Sequence, residues 1–135
     1  MIFIKDSISN LLSIITNTIK NNKNELLLRC DHSLLDIISV LYKEGYILSY
    51  KIIINNNNSW IYVVLNKKNG NFLIKKIKRI SKPSQRSFCS LVTLKNLYSF
   101  SNGETNYIIS TSRGIFTGKS CLAHGFSGEI LLQIN

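Results

Sequence analysis

The sequence predicts an α+β fold made of two small α/β units, a helix-rich N-terminal one over residues 1–80 and a β-rich C-terminal one over 81–135. Three observations lead there. Apolar residues recur at spacings of three and four through the first 45 positions, the period of a helix with one buried face. From Tyr46 onward short β-branched and aromatic runs are separated by Asn and Gly turns. The only proline, Pro83, lies in the polar stretch Ser81-Lys82-Pro83-Ser84, where the pattern changes, and marks the expected boundary.

Taken in order, Asp6 can cap a helix carrying Ile8, Leu11, Leu12, Ile15 and Ile19 on one stripe. Glu25 to Arg29 reads as a short strand. Ser33, with Asp36 three residues later, approximates a capping box for a second helix. That helix carries Leu34, Leu35, Ile37, Ile38 and Leu41 and stops at Gly45. Strands are expected at Tyr46–Ile54 and Trp60–Leu65 around the Asn run, then at Phe72–Ile80 after an Asn69-Gly70 turn. The spacing of Ile74, Ile77 and Ile80 by three is also helical, but β-branching favours strand. Further on come a short helix near Thr93–Tyr98, the strand Tyr107–Ile109, and a helix from Thr117 to about His124. Gly125 ends that helix, and a closing strand runs over Glu129–Ile134.

At 135 residues and 44% hydrophobic residues the chain can bury roughly two-thirds of its unfolded surface. No apolar stretch approaches the ~18 residues that span a bilayer, so no membrane partner is expected. Lys and Arg number 17 against 7 Asp and Glu, a net charge of +10. The excess is concentrated. Lys67, Lys68, Lys75, Lys76, Lys78, Arg79, Lys82 and Arg86 fall within residues 67–86 without one acid, whereas the flanking stretches carry +1 each. A solvated basic face is the bland reading; an electrostatic footprint for a polyanion is the better one.

Cys30, Cys89 and Cys121 are odd in number and widely spaced, and His32 and His124 lie far apart. Neither set has ligand spacing, so no metal, no cofactor and no disulfide are expected. Ile, Asn and Lys are abundant, and Lys outnumbers Arg thirteen to four, the usage of an A/T-rich genome. The N-terminus has neither signal-peptide nor transit-peptide layout, so an organellar version is expected to be made in its organelle.

The stretch Tyr107-Ile-Ile-Ser-Thr-Ser-Arg-Gly114 ends an apolar run in three hydroxyls, a cation and a glycine. One reading is a nucleophile elbow at Ser112, since the stretch is one substitution from G-x-S-x-G between an expected strand and helix. A serine hydrolase also needs a base and an acid in order, and residues 113–123 hold neither Asp nor Glu. The other reading is a polar surface. Hydroxyls suit ribose 2′-hydroxyls and phosphate oxygens, Arg113 can clamp phosphate, Gly114 admits close approach, and a following helix would aim N–H groups at an anion. Simple helix capping is the plain alternative, strongest for Thr117.

Here a family resemblance enters. Ser110-Thr111-Ser112-Arg113-Gly114-Ile115, followed by Ser127-Gly128-Glu129-Ile130, resembles the C-terminal signature of the universal ribosomal protein eight family of the small subunit. Asp6 to Leu12, Leu41 to Ile47, and Ile77 to Pro83 are similar to that family's opening, its E-G-[FY]-I segment and its I-x-R-[VI]-S-[RK]-P hinge. The resemblance implies two α/β domains and a structural protein, not an enzyme. Its partners would be small-subunit rRNA, at an irregular helix of the central domain, and neighbouring ribosomal proteins, with no small-molecule substrate. It implies RNA contacts from Ser110, Thr111, Ser112, Arg113 and Gly114, with Glu129 nearby; Thr117 and Lys119 are further candidate contacts beyond them. There Glu129 would orient a basic or hydroxyl group. The hinge residues Arg79, Lys82, Pro83 and Arg86 would follow phosphates, and Lys75, Lys76 and Lys78 of the basic run are candidate RNA contacts beside them.

The chain departs from that pattern at Ser84, where the family has glycine. It departs at Gly118 and Leu122, where an acid and a cation are lost, and at Ser127 in place of a glycine. The segment from Cys89 to Thr105 aligns poorly and is a few residues longer. These changes fit a diverged organellar member, mitochondrial by preference and plastid as the alternative. A general RNA-binding module outside the ribosome is the competing reading.

Overall fold

The computed structural model describes residues 7–81, 85–101 and 105–135. These form two compact units, Met1–Leu73 and Ile74–Asn135, and the α+β class is as expected, with helices and antiparallel sheets in both.

The N-terminal unit starts with helix α1, Ser7–Lys20, which buries Leu11, Ile15 and Thr18. The hydroxyl of Thr18 is reconciled with burial by donating to the Ile14 carbonyl at 2.7 Å. Strand β1, Glu25–Arg29, alternates strictly, with Leu26 and Leu28 buried. Helix α2, His32–Lys43, buries Leu34, Ile37, Ile38 and Leu41. Its cap is not the expected Ser33–Asp36 box. Asp31 sits in extended conformation and accepts from the Ser33 amide at 3.3 Å, while Ser7 Oγ donates to its other oxygen at 2.6 Å. The Ser7 hydrogen bond, working against desolvation, holds the Asp31 carboxyl below its usual range. Gly45, at φ +89°, lets the chain leave the helix. The expected cap at Asp6 lies outside the described residues.

Strands β2 (Ile47–Asn55) and β3 (Asn58–Leu65) form a hairpin, and β1 pairs the other edge of β3, giving the order β1-β3-β2. The pairs Leu26↔Val63 and Leu28↔Ile61 put the apolar sets of two strands on one side. A two-strand ribbon, β4 (Lys67–Lys68) and β5 (Asn71–Phe72), closes the unit around Asn69-Gly70.

The expected strand Phe72–Ile80 is broken. Asn71–Phe72 folds back on Lys67–Lys68, while β6, Ile77–Arg79, pairs with the final strand β10, Gly128–Ile134. Between them Ile74 is buried, and the amides of Lys75 and Lys76 donate to the Asn135 carbonyl at 2.9 and 3.3 Å. The two ends serve different sheets, and the two compact units are divided between Leu73 and Ile74.

The C-terminal unit continues with β7 (Phe88–Cys89), helix α3 (Leu91–Ser101), β8 (Asn106–Thr111), β9 (Gly114–Thr117) and helix α4 (Gly118–His124). Its sheet runs β6-β10-β8-β9, with β7 also on β10. Tyr107, Ile109 and Ile130 pack with Leu94 of α3, Cys121 of α4 and Cys89 into one core. The Tyr98 hydroxyl donates to Asn106 Oδ1 at 2.8 Å and accepts from the Tyr107 amide, and desolvation pushes its pKa up to about 12. All three cysteines are free, and no described helix is long and apolar enough to cross a membrane.

Candidate nucleic-acid interface

The hydroxyl-rich stretch is a β-hairpin loop. Thr111 pairs with Gly114 across β8 and β9, leaving Ser112 and Arg113 as a two-residue connection. Thr111 Oγ1 donates to the Gly114 carbonyl at 2.9 Å and accepts from the Arg113 amide at 3.2 Å, so this hydroxyl closes the loop from within. Gly114 has φ +123°, a conformation that a side chain would strain. Ser112 and Arg113 are exposed at the tip, and Ser110 is half-buried.

One expectation changes here, and the rejected elbow reading gains nothing. The loop does not run into a helix, because the four residues of β9 intervene before α4. Ser112 also lacks the positive φ of a strained elbow, so the hairpin gives it no nucleophile geometry.

Ser110 pairs with Ile115 on one side and with Glu129 on the other, and Glu129 pairs in turn with Phe88 of β7. Directly opposed residues in an antiparallel sheet project to the same face. Phe88, Glu129, Ser110 and Ile115 therefore form one row across four strands. Close approach is needed at its edge: a Cβ on Gly128 would overlap the Ser110 carbonyl oxygen.

Glu129 is the centre of that row. Its Oε1 accepts from the buried Ser81 hydroxyl and from Arg86 Nη1 at 3.0 Å. Ser81 Oγ also accepts from the Ser87 amide at 3.2 Å, and Arg79 Nε donates to the Ser81 carbonyl at 2.6 Å. Desolvation by itself would raise the Glu129 pKa; the bonds from Ser81 and Arg86, with the charges of Arg86 and Arg79, outweigh it and hold the carboxyl below its usual range. An ionised carboxylate here fixes one guanidinium at the surface, with the Arg86 side chain still 55% exposed.

The other expected site residues are distributed as follows. Lys75, Lys76, Lys78 and Lys119 are exposed, and Arg79 is half-buried. Lys78 pairs with Gln133 on the outer β6 edge. Lys82 and Pro83 lie outside the described residues. Thr117 is 3% exposed and its hydroxyl caps α4, accepting from the Ser120 amide at 3.2 Å, so it lies beneath the surface rather than on it. The basic segment is split: Lys67 and Lys68 belong to the N-terminal unit, with Lys67 Nζ held by Asn22 at 3.1 Å and set 4.4 Å over the Phe72 ring.

Two residues of this site were not picked out from the sequence. Ser81 was read only as hinge, and nothing in its type announces a buried partner for Glu129. Phe88 is 74% exposed. A large aromatic two residues beyond Arg86, in a two-residue strand, was a usable signal for a stacking surface. At Gly118, where the resemblance leads one to expect an acid, a Cβ would overlap the Tyr98 ring.

A family model described as ribosomal protein S8 matches residues 6–135. The small ribosomal subunit protein uS8 of Buchnera aphidicola subsp. Cinara cedri is 36% identical over 131 residues, 97% of this chain and 98% of that relative. The uS8 of Mycoplasmopsis pulmonis is 33% identical, covering 99% of each, and that of Thermodesulfovibrio yellowstonii 32%, covering 97% and 98%. With a match over nearly its whole length and relatives of the same extent, the chain belongs to the ribosomal protein S8 family.

Proposed function

We propose that this chain is a structural component of the small ribosomal subunit that binds an irregular helix in the central domain of small-subunit rRNA. Its binding surface is the C-terminal unit, and it acts by holding that RNA fold rather than by catalysis. Its further partners are neighbouring small-subunit proteins. Family membership supports the ribosomal part. The observation that carries the RNA part is the row Phe88–Glu129–Ser110–Ile115, flanked by Arg86 and by the Ser112-Arg113 tip. Such a row offers an aromatic face, hydroxyls and fixed guanidinium donors together, the groups that read a distorted, partly unpaired RNA helix. The unit bearing it has nine Lys and Arg against two acids, +7 in all.

Glu129 acts here by holding Arg86 in place, since a free carboxylate would repel phosphate. The mitochondrial location rests on A/T-rich composition and on departures from the family pattern, which a diverged bacterial chain meets equally, and the relatives named above are bacterial.

The test is a titration against the irregular central-domain helix and a perfectly paired duplex of equal length, at several salt concentrations. Wild type is compared with a Ser110→Ala/Ser112→Ala double variant. With about five or six phosphates neutralised, the log–log salt slope is about −4 to −6. A preference for the irregular helix that the double variant loses supports the reading. Equal affinity for both RNAs, with no effect of the variant, leaves a general RNA-binding module instead.

A further inference from the structure

The C-terminal unit carries a second aromatic feature beside the hairpin tip. Helix α4 ends at Gly125, whose left-handed backbone (φ +75°) turns the chain back on itself, and the Phe126 amide donates to the Cys121 carbonyl at 2.9 Å. That reversal sets Phe126 against His124, two positions earlier, with ring centroids 5.5 Å apart and planes only 17° from parallel. Phe126 is anchored from within by Phe116, 5.5 Å away and tilted by 46°. The guanidinium carbon of Arg113, from the hairpin tip, lies 5.3 Å from the Phe126 centroid. One ring thus holds an imidazole and a guanidinium in fixed positions.

Neither of those two groups is fully satisfied by the described residues. His124 is exposed, and its Nδ1 lies 2.9 Å from the Ser120 carbonyl, which can only accept. Nδ1 therefore carries the proton, the ring orientation is locked, and Nε2 has no partner among the described residues. Arg113 is exposed, and its guanidinium has no carboxylate or hydrogen-bond partner among the described residues. A carboxylate partner would be the ordinary device for merely packing an arginine; a ring beneath it instead leaves its donors for a ligand.

We propose that His124, Phe126 and Arg113 form a stacking platform for one unpaired base of the bound RNA, the base lying on the imidazole and the adjoining phosphate meeting Arg113. The proposal rests on the RNA-binding reading above and extends that interface from the Ser112-Arg113 tip to the loop after α4. A nucleobase suits the platform because an exposed, locked imidazole and a guanidinium plane are both surfaces on which bases stack, and the cation meets the phosphate that accompanies every base.

Two variants of the full chain test it. His124→Gln keeps a donor for the Ser120 carbonyl but removes the ring; His124→Phe keeps a ring face. Each is titrated with the irregular helix, the paired duplex, and an unpaired strand bearing a central 2-aminopurine, whose fluorescence is quenched on stacking. His124→Gln is expected to weaken binding to the irregular helix about tenfold, to leave the duplex unchanged, and to abolish the quench, with His124→Phe restoring both. Unchanged affinity for the irregular helix, or an equal loss on the duplex, overturns the platform. If wild type itself does not prefer the irregular helix to the duplex, the functional reading falls separately. The unpaired strand then decides: a quench that needs the ring upholds the platform, and a quench that His124→Gln leaves unchanged removes it.

Discussion

Among the described residues three hairpins have two-residue loops, and two of them, β2–β3 and β8–β9, solve the same turn in opposite ways. Between β2 and β3, Asn56 and Asn57 both take positive φ, +46° and +68°, so the loop itself carries the twist that antiparallel strands need. Between β8 and β9, Ser112 and Arg113 are in ordinary backbone regions, and the positive φ falls on Gly114 at the start of the next strand. Thr111 then closes the loop with its side chain. In the first hairpin the residues are chosen for their backbone. In the second the backbone requirement is moved onto a glycine and a threonine, which frees the tip for a serine and an arginine. Local conformational ease is given up where side-chain chemistry is wanted.

The largest effect that would sharpen this contrast is at the strand behind the second hairpin. Gly128→Ala should cost about 3 kcal/mol through overlap with the Ser110 carbonyl, read as a lowered denaturation midpoint. Gly70→Ala, in the open Asn69-Gly70 turn, should cost only about 1 kcal/mol; equal losses would mean the β8–β10 approach tolerates a side chain.

Next comes a conversion of one turn into the other. Ser112→Asn/Arg113→Gly should leave stability within about 1 kcal/mol. It should weaken binding to the irregular helix about tenfold and reduce the magnitude of the salt slope by about one. Unaltered RNA binding would mean that the tip is only a turn.

A smaller effect belongs to the Glu129 centre. Ser81→Ala should cost about 1 kcal/mol by removing one donor, and should raise the pH at which Glu129 titrates. Because the folded carboxyl titrates below its ordinary 4.5, its contribution is complete above that pH and is lost as pH falls through the folded value. Glu129→Gln should therefore flatten the acid side of the stability profile while leaving its neutral side parallel to wild type. Urea unfolding between pH 3 and pH 7 would show whether it does. The smallest effect is Asn57→Gly, which should change stability by less than about 0.5 kcal/mol and RNA affinity not at all.

Much of this fold was legible because its signals are local. Strand β1 occupies Glu25–Arg29, the short run read as a strand, and α4 ends at Gly125 as a left-handed stop should. The errors arose where a distant partner decided the outcome. Phe72–Ile80 reads as one strand, yet its halves hydrogen-bond to Lys67–Lys68 and to Leu132–Ile134, which no local pattern distinguishes. Asp31 displaced Ser33 as cap with help from Ser7, a residue 24 positions away.

By itself the sequence determined the α+β class, the concentration of positive charge between Lys67 and Arg86, and the hydroxyl-rich stretch from Ser110 to Gly114, because composition, period and motif are properties of neighbouring residues. Only the tertiary structure decided which hydroxyls face outward. Strand pairing sets Ser110 beside Glu129 and Phe88, turns Thr111 into a clamp and buries Thr117 as a cap. It also brings Arg113 over Phe126. Each of those outcomes depends on sheet register, and register is set by which apolar faces find each other across the chain.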